Sequence, residues 1–82
     1  MESGVIWGQA RDILTGQPVA GAFVYLEGVR GGVYTDAGGY YRLAAPPGQW
    51  TVAIRADGYL DMSQTYVRVL VGRTTRVDFA LV

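Results

Sequence analysis

Apolar residues in this chain alternate with polar ones in short runs, and nearly every run ends on glycine, proline or aspartate. A period of two is the signature of strands with one buried face, and runs this short leave no place for a core helix. Strands are expected at about 4–11, 21–27, 31–35, 39–45, 49–56, 63–71 and 73–81. The breaks between them are turn chemistry: Gly16-Gln17-Pro18, Gly28, Asp36-Ala37-Gly38-Gly39, Pro46-Pro47-Gly48 and Asp57-Gly58. Seven strands that neighbour one another in antiparallel fashion must cover each other's apolar faces, so the expected fold is an all-β, seven-stranded antiparallel Greek-key sandwich. With 82 residues there is room for a single domain, 1–82, with residues 1–3 expected to be loose.

The alternation assigns faces. Ala22, Val24 and Leu26 share one side of the second strand, with Phe23, Tyr25 and Glu27 on the other. Tyr41 and Leu43 oppose Tyr40 and Arg42; Trp50, Val52 and Ile54 oppose Thr51, Ala53 and Arg55; Val77, Phe79 and Leu81 oppose Arg76, Asp78 and Ala80. The faces without charges are the expected core, joined by Ile6, Val67, Val69 and Val71. Trp7 is expected at a rim or on an outer face.

Composition removes whole classes of chemistry. Seven arginines balance seven acidic residues, so no general field draws the chain to nucleic acid or anionic lipid. There is no His and no Cys, which excludes zinc sites of the usual composition, thiol or histidine triads, and disulfide staples. Without Lys there is no Schiff-base chemistry, and without Asn no N-glycosylation acceptor. No apolar run approaches the length of a membrane span, and Met1-Glu2-Ser3-Gly4 opens without the basic and apolar segments of a secretion signal.

Gly16-Gln17-Pro18-Val19-Ala20-Gly21-Ala22-Phe23-Val24-Tyr25-Leu26, Thr35-Asp36-Ala37-Gly38-Gly39-Tyr40-Tyr41, Pro47-Gly48-Gln49-Trp50-Thr51-Val52 and Gly58-Tyr59 together resemble the carboxypeptidase regulatory-like family. The resemblance implies a prealbumin-like sandwich that serves as an accessory module of secreted, periplasmic or cell-surface proteins. Its matched residues are turns and core positions rather than a reactive constellation. Gly16, Pro18, Gly21, Asp36, Gly38, Gly39, Pro47, Gly48 and Gly58 are therefore read as structural turns. Asp36 is expected to accept backbone N–H bonds, Gly21-Ala22 to let two backbones approach, and the Tyr59 ring to cap one end of the core. Related adhesin modules crosslink Lys to Asn or Asp, and hydroxyisourate hydrolases of the broader fold use a His-rich site; this chain lacks Lys and His.

Other readings of single motifs are bland. Asp36, Asp57, Asp61 and Asp78 offer calcium-type oxygens without calcium-loop spacing. A carboxylate pair such as Glu27 with an Asp lacks a cleft in so small a sandwich. Gly28-Val29-Arg30-Gly31-Gly32 has no following helix or Lys with which to hold phosphate, and Arg68, Arg73 and Arg76 are expected in solvent.

The residues left over are aromatics on charged faces: Trp7, Phe23, Tyr25, Tyr40 and Tyr66. Such rings mark protein interfaces or sugar-stacking surfaces, or simply pair across a sheet. A coplanar exposed pair flanked by Asp, Gln or Arg would favour sugar; scattered rings on a flat apolar face would favour protein. The expectation is a non-catalytic module without cofactor or metal that stabilises, spaces or docks a larger protein, with carbohydrate binding as the alternative. Its partners are expected to be neighbouring domains, another protein or a second copy, without nucleic acid and without membrane insertion.

Overall fold

A computed structural model describes residues 2–82, and two four-stranded sheets account for most of them. The strands are β1 (Gly4–Asp12), β2 (Phe23–Leu26), β3 (Val33–Tyr34), β4 (Tyr40–Ala45), β5 (Gly48–Arg55), β6 (Met62–Val69), β7 (Thr74–Arg76) and β8 (Phe79–Leu81). One sheet runs β4-β1-β7 with β8 also on β1; the other runs β3-β2-β5-β6. The expected sandwich is therefore present. Met1, part of the expected loose start, lies outside the described residues, and the Ser3 carbonyl accepts the Gly72 N–H.

Pairing departs from the expectation in one respect. β1 pairs antiparallel with β4 but parallel with both β7 and β8. Val5 opposite Thr74 and Asp12 opposite Leu81 keep one register, so β7 and β8 are the two halves of a single expected strand, interrupted at Val77 and Asp78. There the Asp78 carboxylate accepts the Gln9 N–H at 2.8 Å, taking the place of a backbone acceptor. Val77 still donates its N–H to the Trp7 carbonyl. Gly8 is required at this crossing, because a Cβ would run into the Val77 carbonyl. Periodicity alone cannot report strand direction, which is why the parallel pairing was not legible.

The two inner faces bury Ile6, Ala10, Val24, Leu26, Tyr41, Val52, Ile54, Val67, Val69, Val77, Phe79 and Leu81 in one cluster, as the alternation predicts. Val71 is a correction: it belongs to the turn after β6 and is half exposed. Ala53 is buried despite lying on the outer face, where it pairs with Tyr25. Two buried polar groups lock the frame. The Thr35 hydroxyl donates to Val19 O and accepts the Ala22 N–H, fixing the 19–22 segment, while the Tyr41 hydroxyl donates to the Val77 carbonyl.

The turn between β3 and β4 is held by its own side chain and dihedral, whereas Pro18, read as a turn residue, sits in an antiparallel bridge with Arg11. Asp36 Oδ1 accepts the Gly38 and Tyr40 N–H groups, and Gly39 takes a φ of 79°, where a Cβ would also meet Ala10 O. Gly21 has a φ of 72° and open space at its Cβ position, so it is there for its dihedral and not for the close backbone approach expected of it.

The molecule measures 38 × 21 × 19 Å. At about 3.3 Å per residue, β1 is longer than either short dimension and runs along the long axis. Ser3 therefore stands at one end and Leu81, paired with Asp12, at the other.

Candidate interaction faces

The outer faces of the two sheets carry aromatic residues in different company. On the β5 sheet, cross-strand register sets Tyr34 of β3 beside Phe23 of β2, and the pleat brings Phe23 and Tyr25 to the same side. Phe23 lies between them, 5.0 Å from the Tyr34 ring at a 48° tilt and 5.5 Å from the Tyr25 ring at 23°. Tyr25 in turn stands opposite Ala53, whose small side chain is covered although it faces away from the core. These residues form a thin apolar layer outside the sandwich. Beside it, Gly21, Phe23, Tyr34, Arg55, Ala56, Asp57 and Asp61 line an open groove. Arg55 and Asp61 approach to 3.8 Å across it, both well exposed.

On the β1 sheet, Trp7 sits in the central strand with Arg42 of β4 on one side and Arg76 of β7 on the other. The Arg76 guanidinium lies 4.4 Å from the centroid of the indole and also donates from Nε to both Asp78 oxygens at 3.0–3.1 Å. Arg11 donates from Nε to Gln9 Oε1 one pleat further along. Tyr40 stands opposite Gln9 and, with Trp7, Arg42, Tyr34 and Asp36, lines a shallow depression along β4.

The five aromatics singled out in the sequence thus fall in three places. Phe23 and Tyr25 are together; Trp7 and Tyr40 share the opposite sheet; Tyr66 is alone. Tyr66 occupies a bulge in the edge strand β6, where Thr65 and Tyr66 face Thr51 between the pairs Trp50–Val67 and Val52–Gln64. It has a φ of 58° and is 81% exposed. A left-handed tyrosine costs about 1 kcal/mol relative to glycine, and a bulge twists an edge away from further pairing.

Sequence reasoning missed Tyr34, 69% exposed, because a two-residue strand has no period to read. It also missed the end of the sandwich where Ile13, Leu14, Leu60 and Val82 are exposed. Ile13 donates its N–H to Leu81 O and Leu60 to Val82 O, which gathers these aliphatics at one pole. The signal for them was Ile13-Leu14 within a turn, where polar residues are the rule.

That pole is fastened by a polar latch. The Tyr59 hydroxyl donates to Asp12 Oδ2 at 2.7 Å, and Asp12 Oδ1 accepts the Leu14 and Thr15 N–H groups. These bonds, the tyrosine's first, hold the Asp12 carboxyl below its ordinary 3.8, and the same bond raises the Tyr59 phenol above 10.0. Burial, followed by the Asp78 charge, raises the Tyr41 phenol well above its usual range.

Among the described residues no three acidic groups converge as a metal site would require. Asp57 and Asp61 share the groove, whereas Asp36 and Asp78 are each bound to backbone N–H groups elsewhere. No helix of the described residues is long and apolar enough to cross a membrane.

Comparisons with known proteins bear on this frame. No curated protein matches the chain. Among solved structures, chains from two interface mutants of a type II cohesin–X–dockerin complex of Acetivibrio cellulolyticus are similar. The C-terminal interface mutant has a TM-score of 0.73 at 20% identity, covering 93% of this chain and 52% of the other. The N-terminal interface mutant gives 0.77 at 21%, covering 95% and 56%. This chain thus spans about half the length of those it matches, and the likeness is one of fold. The model of the carboxypeptidase regulatory-like domain matches residues 5–82, and the chain belongs to that family.

Proposed function

We propose that this chain is a non-catalytic accessory module of a larger exported or cell-surface protein, and that it works by docking and spacing. The observation that carries the reading is the outer apolar layer of Tyr34, Phe23 and Tyr25 over Ala53, an arrangement a solvent face does not need. Family membership supports it, as does a fold similar to chains that occur in a cohesin–X–dockerin complex. The course of β1 supports spacing: a chain entering at Gly4 and leaving after Leu81 does so at opposite ends of β1. The exposed aliphatic pole at Ile13, Leu14, Leu60 and Val82 adds a second surface suited to an adjoining domain.

Sugar binding is the second reading, favoured by one feature: the near-parallel Phe23–Tyr25 pair beside Arg55, Asp57 and Asp61. Against it, Phe23 is engaged by rings on two sides, leaving less free face for a pyranose to lie on. A 15N-HSQC titration with a glycan panel separates the two, combined with sedimentation at two concentrations. Docking predicts no localised shift with any sugar. Saturable shifts confined to Phe23, Tyr25, Tyr34 and Arg55 on adding one glycan would replace docking with carbohydrate recognition, and a concentration-dependent mass would identify the partner as a second copy.

A further inference from the structure

The turn that carries the chain from β5 to β6 sets one peptide bond apart from the rest. Ala56 O accepts the Tyr59 N–H at 3.1 Å, so Asp57 and Gly58 are the two central residues of a β-turn, and the peptide between them belongs to no ladder. Both residues are exposed. Gly58 takes a φ of 84° with open space where a Cβ would stand, and among the described residues its N–H is given to no acceptor. That nitrogen is free to meet the side chain before it.

Asp57 differs from the other aspartates in the same direction. Asp12, Asp36 and Asp78 each accept backbone N–H groups, and Asp61 lies 3.8 Å from Arg55. Among the described residues Asp57 forms no ion pair and accepts no hydrogen bond, so its carboxyl is held nowhere else. The residues that follow the other four are Ile13, Ala37, Met62 and Phe79, whose side chains crowd an attacking nitrogen, and the Ile13 N–H is itself donated to Leu81 O. Asparagine, the other source of the same cyclisation, is absent from the chain.

We infer that Asp57-Gly58 is a succinimide-forming modification site, at which conversion to isoaspartate releases Tyr59 from Asp12 and loosens the aliphatic pole. The Gly58 nitrogen attacks Asp57 Cγ; a C–N bond forms, the carboxyl oxygen leaves, and with the nitrogen's proton it departs as water. Water then adds back to the five-membered ring. Opening at Cγ restores aspartate, whereas opening at the main-chain carbonyl leaves the chain running through Cβ and Cγ, one atom longer, with a pendant α-carboxylate. No oxidant or other reactant is needed. The two residues that follow this bond tie the pole together: the Tyr59 hydroxyl donates to Asp12 Oδ2 at 2.7 Å and the Leu60 N–H to Val82 O at 2.7 Å. An added atom in a turn closed by one hydrogen bond moves both donors off their acceptors. The inference goes beyond the docking reading and stands without it.

The test keeps the 82-residue chain at neutral pH, warmed but below its unfolding transition, beside the hexapeptide Arg-Ala-Asp-Gly-Tyr-Leu that repeats residues 55–60 and beside an Asp57→Glu variant, whose longer side chain does not close this ring readily. Peptide mapping with electron-transfer fragmentation is expected to find isoaspartate at 57 by the time the hexapeptide has half converted, with a transient species one water lighter and one heavy oxygen gained in heavy-oxygen water. Residues 12, 36, 61 and 78 should remain aspartate. In 15N-HSQC spectra the converted fraction should show shifted Tyr59, Leu60, Leu14 and Thr15 amides, and its urea midpoint should fall, while Asp57→Glu keeps both unchanged over the same time. No isoaspartate at 57 once the hexapeptide has converted, or equal conversion at the other aspartates, would overturn the site. Conversion at 57 that leaves the Tyr59 and Leu14 amides in place, or the same losses in Asp57→Glu, would overturn its link to the latch.

Discussion

Both outer faces present aromatic residues from a central strand, yet the cross-strand neighbours give those residues opposite chemistry. On the β5 sheet Phe23 has Tyr34 across the ladder and Tyr25 along its own strand, so the rings cover one another and an alanine beneath them. On the β1 sheet Trp7 has arginine on both sides, so its indole is held by a guanidinium and surrounded by charge. What a half-buried ring offers to a partner is thus set by register rather than by the ring. One face offers apolar area and the other offers cations around an apolar anchor.

The largest effect is expected where the β1 sheet is joined. Gly8→Ala drives a Cβ into the Val77 carbonyl, and the parallel crossing of β1 with β7 and β8 cannot absorb it without moving backbone. A loss of about 3 kcal/mol or more in urea unfolding is expected, with Arg76 displaced from Trp7 and the β5 face unchanged in any residual folded spectrum. Next comes the shared ring of the other face. Phe23→Ala should cost about 2 kcal/mol and expose Ala53, because the ring is half buried and engaged on two sides.

Tyr41→Phe should cost about 1 kcal/mol in the same assay by leaving the buried Val77 carbonyl without its partner. The tyrosine also predicts an alkaline limb. The fold holds the phenolic proton more tightly than the unfolded chain does, so its contribution is intact below pH 10.0 and is lost as pH rises beyond that. Tyr41→Phe should flatten that limb. The Asp12–Tyr59 latch predicts the reverse at the acid end. The lowered carboxyl contributes fully above pH 3.8, and its contribution disappears as pH falls through the folded value; Asp12→Asn should make stability less steep there. Smallest is the stacked guanidinium: Arg76→Met, which keeps the stem but loses the charge, should cost about 0.5 kcal/mol and leave the β5 face untouched.

Much of the frame was legible because alternation reports faces directly. Val24, Val52, Val69 and Phe79 are buried as their period requires, and Asp36 and Gly39 form the turn their order implies. Direction and pairing were less so. β1 and the last strand pair in parallel because their ends lie at the same poles, a long-range fact with no local trace. Of the candidate faces, Trp7, Phe23 and Tyr25 were visible as rings opposite core positions. Their partition into two surfaces depended on registers such as Phe23 with Tyr34 and Trp7 with Arg42, which join residues far apart in the chain. Val71 and Ile13 were misjudged or missed because turns between strands carry no period to test them against.

The most direct measurement is oxidative footprinting of Tyr34 and Trp7 in the isolated chain and within the larger protein proposed to carry it. A docking module covered on its aromatic face predicts that Tyr34 becomes several-fold less reactive in the longer protein. Trp7, on the outer face of the other sheet, should keep the same reactivity in both contexts. Tyr34 equally reactive in both contexts would contradict docking through that face.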